Sequence, residues 1–102
     1  MPKIFEYLGI IIFFYSNEHE PIHVHARKGE NESKAEFIIQ EGKITEIRIG
    51  QVKGLSPLNK NEMKSFKEFL KVFSDKIVQK WIDYFILHKD VDFERITKRI
   101  TK

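Results

Sequence analysis

The sequence predicts a single α+β domain: an antiparallel meander of about four strands followed by a long or interrupted C-terminal helix packed on the sheet. Three observations carry this expectation. The first half of the 102-residue chain holds short strand-like segments, one continuously apolar and one alternating, with many β-branched and aromatic residues. The second half keeps apolar residues at three-or-four spacing from Met63 to about His88. No repeat, low-complexity run or linker separates the halves, so residues 1–102 read as one domain with a tail from Lys89.

Residues 9–15, GIIIFFY, are too short for a helix and apolar on both alternating faces, which predicts a central strand covered on both sides. Residues 21–28, PIHVHARK, alternate: Ile22, Val24 and Ala26 point one way, His23, His25 and Arg27 the other. Pro21 suits the start of such a strand, where a missing amide proton is tolerated. Residues 34–40 and 43–49 read as two further strands joined by Glu41 and Gly42, a two-residue hairpin signal. The polar stretch GENES, residues 29–33, is expected to be the loop before them.

Asn59, with Glu62 three residues on, resembles a capping box, and Leu58 with Met63 fits a hydrophobic staple. From there Met63, Phe66, Leu70, Phe73, Ile77, Trp81 and Tyr84 form the apolar stripe, which predicts Trp81 as core rather than a base-stacking platform. An unbroken helix to His88 would be about 45 Å long. A compact domain of this size is only about 34 Å across. The favoured expectation is a bend or break at Ser74 and Asp75; the competing one is a projecting helix that dimerises. The tail 89–102 is ambiguous between helix and edge strand.

The composition narrows function more by exclusion than by assertion. With no cysteine there is no disulfide framework, thiolate metal site or cysteine nucleophile. The N-terminal MPKIFEYLG is polar too soon, and the run after it too short, for a signal peptide or membrane span, so a cytoplasmic location is expected. The net charge of +3 is uneven: residues 1–50 carry 6 Lys/Arg against 8 Asp/Glu, residues 51–102 carry 12 against 7. That asymmetry permits contact with nucleic acid or an acidic partner. The stripe Lys60, Lys64, Lys67 and Lys71 reads first as a solvated helix face, with Glu68 able to pair with Lys64 or Lys71.

Three of the four histidines, His19, His23 and His25, fall within seven positions. His23 and His25 are two apart on a strand and leave the same face, so two imidazoles could converge on a divalent ion such as zinc; His19 in the preceding turn, with Glu18 or Glu20, would have to complete the set. The same residues could serve as general acid and base in phosphodiester cleavage, with Arg27 or Lys28 holding the phosphate. H-x-H alone is a weak signal, since any wet strand face can carry histidines. No Gly-rich phosphate loop, G-x-S-x-G or H-E-x-x-H accompanies it.

The run YLGIIIFFYSNEHEPIHVHARKGE, residues 7–30, followed by an acid-bearing hairpin and a helix with a late Trp, resembles a bacterial family of unknown function, numbered 4160. The matching positions are Gly9, Ile10, Ile12, Asn17, His19, Pro21, His23, His25, Gly29, Glu30 and Trp81, and the resemblance extends over about residues 1–88. Glu18 stands where the family has Asp and Ile22 where it often has Pro. The resemblance implies a small protein encoded beside a second family of unknown function (numbered 2442), in the manner of toxin–antitoxin or regulatory gene pairs. It favours a binding or regulatory module with a protein partner encoded nearby and nucleic acid as a second candidate. A ribonuclease-like toxin using His19, His23 and His25 is the alternative, and a non-catalytic metal-binding module the next. A homodimer is also expected, because one helical layer leaves the second apolar face of strand 9–15 to be shielded by a second subunit or by the tail from Val91.

Overall fold

A computed structural model describes residues 2–15 and 21–100. Six strands form one sheet: β1 (Lys3–Tyr7), β2 (Ile10–Phe13), β3 (His23–Lys28), β4 (Asn31–Gln40), β5 (Lys43–Gln51) and β6 (Glu94–Ile96), in the order β5-β4-β3-β2-β1-β6. The first five make an antiparallel meander, and β6 joins β1 in parallel at the far edge. Helix α1 (Lys60–Trp81) packs on one face, so the chain is α+β.

The sheet is larger than the four strands expected. β1 arises from the N-terminal segment: Ile4, Phe5 and Tyr7 are fully buried. The tail resolves into β6, whose Ile96, followed by Ile100, packs against the same core. β2 lies between β1 and β3, as its apolar composition requires.

The loop expected at residues 29–33 is in fact a two-residue turn. Gly29 has φ +62°, the positive first central angle that suits a tight hairpin, so β4 begins at Asn31 rather than Lys34. The β4–β5 turn is built as expected, with both Glu41 and Gly42 at positive φ.

Helix α1 starts where the capping box places it: the Glu62 amide donates to the Asn59 side chain and the Asn59 amide to Glu62 Oε1, each at 2.8 Å. Asn31 donates to the same carboxylate at 3.1 Å, and the Leu58 amide to Ser33 Oγ at 3.1 Å, so the helix start is tied to β4. No break occurs at Ser74 and Asp75. The Ser74 hydroxyl donates to the Leu70 carbonyl inside the helix instead of capping a new one. The helix therefore neither breaks there nor projects: 22 residues give about 33 Å, the long dimension of a molecule measuring 33 × 33 × 25 Å. Past Trp81 it widens into a π-helical turn (Ile82–Ile86), which brings Tyr84 and Phe85 to 6.4 and 5.6 Å from the Phe14 ring. Leu87 ends it, with His88 at φ +55° and the Lys89 amide donating to the Asp83 carbonyl.

The core lies between α1 and the sheet. Phe5 packs edge-on to Phe69 at 5.1 Å, Tyr7 lies 5.5 Å from Phe69, and Trp81 is 3% exposed beside Phe85.

Candidate functional site

The sheet face away from α1 carries a second, polar cluster. Strand alternation sends His23, His25 and Arg27 of β3 to this side, together with Phe13 of β2, whose register partner is His25, and Glu32 of β4, whose register partner is Arg27. Tyr15, just beyond β2, joins them.

Glu32 is the hub. Its carboxylate is fully buried, yet all of its acceptor sites are used. Oε1 takes Arg27 Nε and Nη2 at 3.0 and 2.9 Å; Oε2 takes the Tyr15 hydroxyl at 3.0 Å and His25 Nδ1–H at 3.1 Å. Burial of a carboxylate is tolerable only under such saturation, with a cation at hand. His25, 4% exposed, lies stacked on Phe13 at 5.5 Å and meets the Tyr15 ring edge-on at 4.4 Å. The Arg27 guanidinium lies 5.9 Å from the Phe13 ring centre. These side chains, not the helix, roof the second apolar face of β2.

His23 and His25 share this face, their ring centres 5.3 Å apart. His23 is half-buried, and its Nδ1–H donates to the Pro21 carbonyl at 2.8 Å. Both rings thus engage Nδ1 as a donor, which puts the basic lone pair of each neutral imidazole on Nε2.

Of the residues expected at a site, the structure unites His23, His25 and Arg27. Lys28 leaves the other side of β3, where its ammonium donates to the Leu8 carbonyl at 3.3 Å. His19 lies outside the described residues. Among the described residues no group of three or more His, Asp or Glu could hold a metal ion. Among the described residues, the carboxylate bonded to His25 already takes an imidazole N–H and a guanidinium. On α1, Lys60, Lys64, Lys67 and Lys71 line a shallow groove with Asn61, Met63 and Glu68. Glu68 accepts from Arg99 at 2.9 Å and Tyr7 at 3.4 Å rather than from a lysine of the stripe.

Glu32, Tyr15 and Phe13 were not singled out by sequence reasoning. A signal for Glu32 was present: a two-residue turn at Gly29 and Glu30 sets Lys28 opposite Asn31 and hence Arg27 opposite Glu32.

Residues 9–82 match the model of a domain of unknown function, DUF4160. The chain belongs to this family. The match contains β2 to α1, and with them positions His19, His23 and His25, while β1 and β6 lie outside it. No curated protein and no solved structure matches the chain. Among the described residues no helix is long and apolar enough to cross a membrane.

Proposed function

We propose that this DUF4160 chain is a small cytoplasmic binding or regulatory module, one member of a two-gene pair of the toxin–antitoxin or regulatory kind, which holds a protein partner on the sheet face around Tyr15, His23 and Arg27. The burial of the hub carries the reading. Glu32 is 0% and His25 4% exposed, so this carboxylate–imidazole pair is closed to bulk substrate and acts as a rigid foundation. Around it stand a half-buried tyrosine, a half-buried histidine and an arginine whose side chain is 42% exposed. Pre-ordered Tyr and Arg are the residue types that anchor protein interfaces.

A second reading has its own observation. Glu32 accepts the Nδ1–H of His25, the orientation by which a carboxylate fixes a catalytic imidazole, with His23 as its neighbour and Arg27 as an anion clamp. This supports a ribonuclease-like toxin. Co-expression with the product of the adjacent reading frame separates the two. The binding reading expects a stoichiometric complex that Arg27→Ala weakens, with RNA left intact by the purified chain. RNA cleavage that is lost in His23→Ala, without a complex, would replace it with the second reading.

A further inference from the structure

The sheet ends on β5, a nine-residue strand with one edge paired to β4. Among the described residues nothing pairs with its outer edge. Proteins usually blunt such an edge by shortness, proline, an inward charge or a β-bulge. β5 is long and has neither proline nor an inward charge, and its bulge at Thr45 leaves the stretch from Glu46 to Gln51 in regular pairing with β4. On the α1 side of the sheet it carries Ile44, Ile47 and Ile49, opposite Ile39, Phe37 and Ala35 of β4. α1 lies against β1 and β3, so this isoleucine row stays at the rim, Ile44 and Ile47 half-buried and Ile49 36% exposed. On the other face stand Glu46 and Arg48, bonded to each other at 2.9 Å with more than half of each side chain exposed. Arg48 holds the Glu46 carboxyl below the usual carboxylate range, chiefly through that hydrogen bond.

The order Glu46-Ile47-Arg48 is self-complementary. Consider a second β5 laid antiparallel along the open edge, with a two-fold axis through Ile47. Glu46 then faces Arg48 of the second copy, and Arg48 faces Glu46 of the second copy. Ile47 meets its own mate; beyond Glu46 the bulge at Thr45 interrupts regular pairing, so the matched stretch runs from Glu46 to Arg48. Opposite charges directly across an antiparallel pair stabilise it, and like charges destabilise it. Moving the axis one residue either way sets Glu46 on Glu46 or Arg48 on Arg48. A half-step sets the charges against isoleucine and turns every side chain to the wrong face. One register alone satisfies both faces.

We propose that β5 is a homodimer edge, on which a second copy of this chain pairs antiparallel about a two-fold axis through Ile47 to join two six-stranded sheets into one. The isoleucine rows of the two copies then become continuous, and the Glu46 and Arg48 side chains form a ring of four alternating charges. Glu46 and Arg48 stand on the same sheet face as the cluster, Arg48 two strands from His23 with Glu36 between them, so the pairing presents the proposed partner-binding face twice on one side of the joined sheet.

Sedimentation of the full chain over micromolar to near-millimolar concentration tests this, with circular dichroism confirming that each variant is folded. The wild-type chain should sediment at twice its 12.2 kDa mass. Glu46→Arg should give the monomer mass, and the exchange of both charges, Glu46→Arg with Arg48→Glu, should restore the dimer. Because the chain has no cysteine, Ile47→Cys should form a disulfide-linked dimer under mild oxidation, whereas Thr45→Cys, in the bulge and away from the two-fold axis, should not. A wild-type monomer at every concentration, a dimer unaffected by Glu46→Arg, or equal cross-linking of both cysteine variants overturns the proposal. Should a charge variant fail to fold, the contrast between the two cysteine variants decides alone.

Discussion

Glu32 concentrates the electrostatic stakes of the molecule in one side chain. A buried carboxylate with four donors is stable only as a set, because each donor loses an acceptor when it goes. Glu32→Ala should therefore cost about 3 kcal/mol, the lower end of what breaking a buried ion pair costs, since Arg27 remains 42% exposed and can rehydrate. Arg27→Ala should cost at least as much: Tyr15 and His25 still donate to the carboxylate, but its fully buried charge loses the cation beside it. Chemical denaturation of both variants checks the order; a clearly smaller loss for Arg27→Ala would mean that Tyr15 and His25 suffice to hold the carboxylate. The pairing of His23 and His25 on one face was legible from period-two alternation alone. The role of Glu32 was hidden behind a single misplaced turn: reading residues 29–33 as a loop detached position 32 from the strand that aims it at Arg27 and His25.

At the scale of elements, helix α1 was the most readable part and also the one whose interior misled. Its start follows from local side-chain chemistry, and the capping box forms as the spacing of Asn59 and Glu62 requires. The expected break at Ser74 failed because a serine hydroxyl can satisfy itself on the preceding turn, and because the true helix, ending at Trp81, already fits the molecule without a bend. Trp81 closes the helical core, 3% exposed, with its Nε1 left without a hydrogen-bond partner. That unsatisfied donor subtracts from its contribution, but the ring's contact with Phe85 and the core outweighs it. Trp81→Ala should lower stability by about 3 to 5 kcal/mol. An unchanged denaturation midpoint would show that the π-helical turn, and not the tryptophan, seals this end.

The whole molecule is small enough that each edge element counts. Its radius of gyration of 12.9 Å is that of a compact domain of about 100 residues, a size at which the net stability is about 5 to 15 kcal/mol. β1 was missed and β6 left undecided between helix and edge strand for one reason: segments as short as KIFEY and ERI, with charged residues beside apolar ones and no period-two pattern, look like surface until their sheet partner is known. Together they extend the sheet past the family match, and β6 is fastened from several sides. Lys80 bonds Glu94 at 3.0 Å, Arg99 bonds Glu68 at 2.9 Å, and the Ile100 amide donates to the Tyr7 hydroxyl at 2.9 Å. The ion pairs each keep one partner over a third exposed and contribute little; the half-buried Val91, Ile96 and Ile100 contribute more. At about half the value of a fully buried aliphatic side chain each, their loss sums to about 3 kcal/mol. A chain ending at His88 should therefore still fold, since the core from β2 to α1 is intact, but with a lower denaturation midpoint. Its backbone amides along β1 should also exchange faster with solvent, because β1 becomes the open edge in place of β6. If the truncated chain kept both its midpoint and its β1 protection, β6 would be no part of the stabilising sheet, and β1 would be held by β2 and α1 alone.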